Sequence, residues 1–235
     1  MSPLRNLVEP SRLLLTWQPS DEGAPVRTRR VVGEVLPAHG SSSAVFRYLK
    51  GTEDFQAAQA AGFRGFPTFR MDETETRNGV LESLMRRLPP RNREDFAEYL
   101  QLHGLAAPFR LSDVALLGYT GARLPSDGFA LVPEFPEDAL PCEYVMEVAG
   151  TRHVLQGPLS DLRVGDPVSI EPDPGNPIES DALVVLHEGQ RIGFVNRALK
   201  GMFYRWMKNG QVTATLERQN GKPQRPLIFV RISVA

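Results

Sequence analysis

Short apolar runs separated by turn-forming residues open the chain. RLLLTW (12–17), RRVVGEVL (29–36) and AVFRYL (44–49) have the length and the apolar content of β-strands. The segments PSDEG and PAHGSSS lie between them and are rich in the residues that form turns. We therefore predict a β-meander at the start of the protein.

Three helices are predicted after this meander. The first lies between Thr52, whose hydroxyl can cap a helix, and Gly62, which can end one. The second covers 79–88 and ends at a Pro-Pro pair, and the third covers 92–104. The segment FRGFPTF (63–69) is interrupted by Gly and Pro, so we expect a loop whose aromatic rings pack on the core.

From residue 144 onwards the pattern changes to short strands at close spacing and a single helix. The helix covers 196–210, with Asn196 as its cap and Gly210 at its end. This content, in about 90 residues, predicts a small closed or half-open β-barrel and an α+β fold overall. The strands are YVMEVAG (144–150), VGDPVSIEP (164–172), ALVVLHEG (182–189), RIGFV (191–195), TATLER (213–218) and LIFVRISV (227–234).

The predicted helix 196–210 has two distinct faces. A core-facing stripe at helical spacing is formed by Leu199, Met202, Phe203 and Trp206. The opposite face carries Arg197, Lys200, Tyr204 and Lys208. A basic face with one aromatic ring can follow a phosphate backbone, although an ordinary solvated helix face has the same composition.

Charge is distributed unevenly along the 235 residues. Residues 1–148 carry 16 basic and 20 acidic side chains, whereas residues 149–235 carry 11 and 8. An acidic front half and a mildly basic back half favour two domains, which we place at 1–137 and 144–235. The positive charge of the second domain permits DNA binding without requiring it.

Several classes of protein are disfavoured by composition. The single cysteine, Cys142, excludes a disulfide framework and a thiolate-rich zinc site, and it suits a reducing cytoplasm. No stretch approaches the length of a membrane span, and the apolar run near the start is too short for a signal peptide. We expect a cytoplasmic protein with no membrane partner, no metal and no cofactor.

The segment DPGNPIESDALVV (173–185) contains turn-forming residues and three carboxylates immediately before an apolar strand. Two interpretations are open. The segment is a rigid turn in which Asn176 bonds its own backbone, or its polar side chains are held out for a ligand.

Residues 144–235 resemble the HIRAN domain. The resemblance depends on VAGTRHVLQG (148–157), VGDPVSIEPDPGNPIESDALVV (164–185), RIGFVNRALKGMFYRWMKNG (191–210) and PLIFVRISV (226–234). HIRAN domains of the helicase type hold a single-stranded 3′ DNA end in a pocket. The resemblance therefore implies that DNA is a partner and that the loop at 173–181 closes the pocket.

The resemblance also assigns individual residues to this pocket. Arg152 and His153 stand where the family has an Arg and an aromatic residue at a strand start, so they would bind phosphate and stack on a base. Ile178 and Glu179 stand where the family has an aromatic residue and an Asp that contact the terminal base and the 3′-hydroxyl. Ile178 has no π-face, so weaker or altered end binding is expected. Phe229, on the last strand, would line the same surface.

Residues 1–137 resemble the N-terminal β-rich subdomain of HipA-type kinases. The similar segments are LLLTW (13–17), VVGEV (31–35), VFRYL (45–49), VLESLMRRLPPRNRED (80–95) and LSDVALLGYTGARLPSDGFALVPE (111–134). The chain lacks the phosphate-binding loop and the catalytic loop of such kinases. The resemblance thus implies a non-catalytic module that binds a HipA-type kinase, as in split toxin–antitoxin systems.

Three functions remain open at this point. The favoured one is a non-enzymatic regulatory protein whose back half binds DNA and whose front half, an antitoxin-like module, binds the kinase. A purely protein-binding module without DNA binding is the first alternative. A component associated with a hydrolase or nuclease is the second, although no carboxylate and histidine cluster has metal-site spacing.

Overall fold

The computed structural model describes residues 2–19, 28–38, 43–124, 126–155, 161–222 and 225–235. The chain divides into two compact units. The N-terminal unit is Val8–Pro136, and the C-terminal unit combines Met1–Leu7 with Glu137–Ala235. Both contain a sheet and helices, so the fold is α+β as predicted. Within the described ranges, no helix is both long enough and apolar enough to cross a lipid bilayer.

The N-terminal unit is built on a four-stranded antiparallel sheet. The three predicted strands form a meander, and a fourth strand, β4, joins the other side of β1 to give the order β3-β2-β1-β4. The strands are β1 (Arg12–Trp17), β2 (Arg30–Pro37), β3 (Ala44–Tyr48) and β4 (Phe129–Glu134).

Four helices accompany this sheet, one more than predicted. The additional helix, α4, is buried at every position from Val114 to Thr120, so it lacks the polar face that reveals a helix in a sequence. The third helix begins at Phe96 rather than at residue 92, because residues 90–95 form hydrogen-bonded turns. The helices are α1 (Glu53–Ala60), α2 (Val80–Met85), α3 (Phe96–Leu102) and α4 (Asp113–Thr120).

The aromatic loop at 63–69 packs into the core of the N-terminal unit, as predicted. Phe63, Phe66 and Phe69 are all buried. The rings of Phe66 and Phe69 stack at 4.9 Å between centroids, and Phe63 meets Phe55 of α1 edge-on at 5.7 Å. Burial of these large rings stabilises the unit despite the absence of regular structure in the loop.

The C-terminal unit contains the six predicted strands in a sheet of order β5-β10-β9-β6-β7-β8. The predicted helix is present as a 3₁₀ turn, Arg197–Leu199, followed by α6 (Lys200–Asn209). A short additional helix, α5 (Thr151–Val154), follows the first strand. The strands are β5 (Cys142–Glu147), β6 (Pro167–Pro172), β7 (Leu183–His187), β8 (Gln190–Phe194), β9 (Val212–Lys222) and β10 (Arg225–Val234).

The sheet of the C-terminal unit curls until its two edges meet. The chain just after β5 pairs with the end of β8, because Ala149 and Phe194 exchange two backbone hydrogen bonds of 2.8 Å. Gly193 is required at this closure. A Cβ there would lie 2.4 Å from Cγ1 of Val148, and its φ of +152° is unfavourable for other residues. The unit is thus a curled half-barrel whose two edges are joined by the bridge between Ala149 and Phe194.

The first residues of the chain belong to the C-terminal unit. The backbone N–H groups of Arg5 and Asn6 donate to the Glu143 carboxylate, at 2.5 and 3.0 Å, and the Glu143 N–H donates to the Asn6 carbonyl at 2.9 Å. This short segment therefore lies along the start of β5.

Candidate nucleic-acid interface

The loop between β6 and β7 is organised by Asn176. Its side-chain oxygen accepts hydrogen bonds from the backbone N–H groups of Ile178, at 3.0 Å, and Glu179, at 3.1 Å. Its amide nitrogen donates to Asp173 Oδ2 at 3.3 Å. Asn176 therefore fits the rigid-turn interpretation, because its side-chain oxygen already accepts two hydrogen bonds from the loop backbone.

Asp173 fastens the beginning of the same loop. It is buried, its backbone N–H donates to the Ala182 carbonyl at 2.8 Å, and its carboxylate accepts a hydrogen bond of 3.0 Å from Arg191 on β8. The two ends of the loop are therefore tied together and to the neighbouring hairpin, which gives the loop a defined shape without a ligand.

Beyond Asn176, the loop carries a cluster of four charged side chains that it shares with the helix. Lys200 Nζ donates to Glu179 Oε2 at 2.6 Å and to Asp181 Oδ1 at 2.5 Å. Arg197 binds the other oxygen of Glu179 through two of its nitrogens. Two cations and two carboxylates thus form one network, which we call the loop–helix cluster (Glu179, Asp181, Arg197 and Lys200).

Burial and ion pairing act in opposite directions on Lys200. Burial alone would lower the pKa of its ammonium group, but hydrogen bonds to Asp181 and Glu179 more than offset this and raise the pKa above its ordinary value. The hydrogen bond from Lys200 is also the main cause of a lowered pKa at Asp181. Lys200 and Asp181 are therefore both charged at neutral pH.

The helix presents the two faces that its sequence predicts. Met202, Phe203 and Trp206 are buried, whereas Tyr204 is 37% exposed and Lys208 is exposed. The Tyr204 hydroxyl donates to the Asp181 carbonyl at 3.3 Å, so the ring stands beside the loop. The outer face consequently offers one aromatic ring and one solvated cation beyond the cluster.

Ile178 lies at the tip of the loop with 82% of its surface exposed. An apolar side chain this exposed contributes nothing to the core. It stands where the HIRAN resemblance places a base-stacking aromatic ring.

Arg152 and His153 lie on α5 and not at the start of a strand, which corrects the expectation from the sequence. The strand ends at Glu147, and Gly150 then adopts a φ of +70° that turns the chain into the helix. Both side chains are exposed, and Arg152 Nε donates to His153 Nε2 at 2.9 Å. In this bond Nε2 of His153 is the acceptor.

Phe229 belongs to a different part of the sheet surface. It lies on β10 opposite Glu147 of β5 and Arg218 of β9, and the Arg218 guanidinium lies 3.9 Å from its ring centroid. Burial lowers the pKa of Arg218, although the nearby carboxylates of Glu217 and Glu147 act in the opposite direction. A guanidinium lying on an aromatic ring is a stable cation–π arrangement.

The structure thus joins only some of the predicted site residues by direct contact. Asn176, Ile178, Glu179, Arg197, Lys200 and Tyr204 belong to the loop and the helix that contacts it. Arg152 with His153, Lys208, and Phe229 lie on other parts of the C-terminal unit. Sequence reasoning did not include Asp181, Arg191 or Arg218. Asp181 could have been found from the sequence, because it follows Glu179 at a spacing of two residues. The positions of Arg191 and Arg218 depend on strand register, which the sequence does not show.

Metal chemistry has no support in the described part of the chain, where no group of three or more His, Cys, Asp or Glu side chains is arranged to hold an ion. Cys142 is buried, and this burial raises the pKa of its thiol to about 12. The thiol is therefore unsuited to act as a nucleophile or a metal ligand at neutral pH.

The curled six-stranded sheet, the ordered β6–β7 loop and the following helix coincide with a known domain. The family model of the HIRAN domain matches residues 142–234. These residues form a HIRAN domain. The match begins at the first residue of β5 and ends at the last residue of β10, so it covers the whole sheet.

Two solved structures are similar to this HIRAN domain. The HIRAN domain of human HLTF is 20% identical, over 39% of this chain and 74% of that chain, with a TM-score of 0.33. A protein from Lactobacillus plantarum is 21% identical, over 38% of this chain and 91% of that chain, with a TM-score of 0.31. None of the curated proteins matches the chain. The HIRAN match does not extend to the N-terminal unit, so the resemblance of residues 1–137 to HipA-type kinases stays a prediction.

Proposed function

We propose that the HIRAN domain binds single-stranded DNA and that a 3′ end is its preferred target. The support is the family itself, since HIRAN domains of the helicase type hold such ends. The observation in this structure that carries the proposal is the exposed Arg152–His153 pair on α5. Arg152 has no carboxylate partner among the described residues, so its guanidinium NH₂ groups can bind a phosphate.

Further exposed groups on the helix of the same domain can contribute to binding. Lys208 is exposed and can neutralise a second phosphate, and the partly exposed ring of Tyr204 can stack on a base. Stacking on one aromatic ring contributes about 1–3 kcal/mol per base. Tyr204 therefore offers the stacking surface that Ile178 lacks.

The test is a fluorescence anisotropy titration of the full chain with matched single-stranded oligonucleotides. One ends in a 3′-hydroxyl and the other in a 3′-phosphate, and both are titrated at two salt concentrations. Tighter binding of the hydroxyl end supports end recognition. Equal affinity that falls steeply with salt indicates a basic surface without an end pocket. The absence of binding overturns the proposal in favour of a protein-binding module.

A protein partner is proposed for the N-terminal unit. Two exposed leucines, Leu102 (55% exposed) and Leu124 (39% exposed), line the same open groove of about 500 Å³ beside Pro89 and Pro90. The groove also carries charged side chains, among them Arg86, Arg93 and Glu98, so it offers both apolar and polar contacts to a protein partner. This observation, together with the sequence resemblance, favours a HipA-type kinase as the partner and an antitoxin-like role.

Co-purification tests the second proposal. The full chain is expected to retain a HipA-type kinase encoded beside it, and Leu102→Asp is expected to weaken retention. A matched change at an exposed position outside the groove, Ala106→Asp, should leave retention unchanged. If Leu102→Asp retained the kinase as well as the wild type does, the groove would not be part of the interface. If the wild type retained no kinase, the proposed partner would be wrong.

Both proposals describe a protein that acts by binding in the cytoplasm and not by catalysis. A purely protein-binding protein, or a component of a nuclease or hydrolase assembly, would be indicated if DNA binding failed.

A further inference from the structure

Two of the three cations on the outer helix face are already paired with carboxylates in the free protein. Arg197 is held by Glu179, and Lys200 is held by both Glu179 and Asp181. The side chains of Lys200 and Glu179 are only 11% and 17% exposed. The loop–helix cluster therefore has no net charge, although it lies where the sequence predicts a phosphate-binding surface.

We propose that Glu179 and Asp181 act as internal competitors of DNA phosphates for Arg197 and Lys200, an autoinhibitory contact that limits the affinity of the domain. The inference rests on the proposed DNA binding and adds the element that regulates it. A carboxylate and a phosphate offer the same arrangement of two oxygens to a guanidinium, so one can replace the other.

Replacement by DNA has an electrostatic cost in the wild-type protein. A phosphate that displaced Glu179 from Arg197 would leave Oε1 of Glu179 without its cation and beside a second negative charge. Like charges at such short distances repel strongly when they are shielded from water. Removal of the carboxylate charge eliminates this repulsion and leaves the two cations free to bind DNA.

The contact can open without unfolding of the loop. Asn176 holds the backbone N–H of Glu179, and Asp173 holds the start of the loop through Arg191. Neither bond involves the Glu179 carboxylate. Rotation of the Glu179 side chain therefore releases Arg197 from this carboxylate, and rotation of Asp181 as well releases Lys200, while the backbone of the loop keeps its shape.

The experiment measures anisotropy of a labelled oligothymidylate with the full-length wild type, Glu179→Gln and the double variant Glu179→Gln/Asp181→Asn. Glutamine and asparagine keep the size and one acceptor oxygen, so folding is protected, while the ion pairs that hold Arg197 and Lys200 are replaced by weaker hydrogen bonds to neutral amides. The double variant is expected to bind roughly 3–10-fold more tightly, with a salt dependence steeper by about 1–2 phosphate contacts. The control Glu188→Gln removes the same charge from an exposed position on the β7–β8 turn.

Two outcomes overturn the inference in distinguishable ways. If the wild type binds DNA and the double variant binds equally or more weakly, internal competition is wrong while DNA binding stands. If neither protein binds, both proposals are wrong. A tightening equal to that of Glu188→Gln would be a general charge effect and also contradicts the inference. As confirmation, Arg197→Ala added to the double variant should remove most of its gain in affinity.

Discussion

Nζ of Lys200 lies 2.6 Å from Oε2 of Glu179, although the two residues are 21 positions apart in the chain. This ion pair connects the β6–β7 loop to the helix that follows β8. The loop therefore fits the rigid-turn interpretation, and a role in holding a ligand stays a prediction. Asn176 gives it a rigid turn, and its carboxylates are held out, but the ligands that they contact belong to the protein itself.

Replacement of Arg152 should weaken DNA binding more than replacement of Arg197. Arg197 is bound to Glu179 in the free protein, whereas Arg152 contacts only the neighbouring His153 within the described residues. We expect Arg152→Ala to weaken single-strand binding by roughly 3–10-fold and Arg197→Ala by less than about 2-fold, since one phosphate contact is lost only in the first case.

Anisotropy titrations of the two variants check this difference. Arg163→Ala is the control, because Arg163 is exposed on the same unit and lies outside the predicted surface. Equal losses for all three variants would indicate that the protein has a diffuse basic surface and no pocket around α5.

Asn176 should determine the stability of the loop. Asn176→Ala removes the acceptor of the Ile178 and Glu179 N–H groups, so we expect a loss of about 1–2 kcal/mol and faster hydrogen exchange at those two amides. Asn176→Asp keeps an acceptor oxygen but places a second carboxylate beside Asp173, and it should restore only part of the loss. Hydrogen-exchange mass spectrometry of the loop peptides measures both effects, and unchanged exchange in Asn176→Ala would contradict the turn.

The loop–helix cluster should make the stability of the protein depend on pH in the acidic range. The hydrogen bond from Lys200 lowers the pKa of Asp181 in the folded state, against the opposing effect of burial. Its contribution is therefore present above the unfolded value of about 3.9 and is lost as the pH falls through the folded pKa. Asp181→Asn removes this group, so its stability should decrease less than that of the wild type on acidification below about pH 4.

Denaturant midpoints measured from neutral to acidic pH provide the comparison. Asp138→Asn, at an exposed position of the same unit, should follow the wild-type curve. If Asp181→Asn also followed that curve, the bond to Lys200 would not persist in solution.

Cys142 should react very slowly in the native protein. Burial, aided by the charge of Glu143, raises the pKa of its thiol to about 12. At pH 8 only about one thiol in 10,000 is then ionised, and the thiolate is the reactive form. Labelling with a thiol reagent at this pH should be slow until denaturant is added. Fast labelling of the native protein would show that the start of β5 unfolds locally and exposes Cys142.

The strands of the C-terminal unit were predictable because their faces alternate. On β10, Ile228, Val230 and Ile232 are fully buried while the residues between them are partly exposed, and this alternation is visible in the sequence. Two helices were not predictable by the same reasoning. Helix α4 is buried on all sides, and α5 is a single turn whose position depends on the backbone of Gly150.

Local sequence patterns did not predict the ion pairs between the β6–β7 loop and the helix. The sequence assigned Glu179, Arg197 and Lys200 separately to DNA, since each has the chemistry for that role. Their mutual pairing depends on the contact between a loop and a helix that only the tertiary structure establishes. The sequence therefore identified the participants in this region but not their partners in the free protein.

The division of the chain has an evolutionary consequence. Because Arg5 and Asn6 pair with Glu143 in the C-terminal unit, Val8–Pro136 is inserted into that unit rather than placed before it. The ends of the insertion are adjacent, since Arg12 and Glu134 are paired at the edge of its own sheet. Insertions with neighbouring ends can be gained or exchanged without breaking the host fold. The N-terminal unit thus interrupts the C-terminal unit before residue 142, so the HIRAN domain at 142–234 is itself continuous and would stay intact if the inserted unit were exchanged.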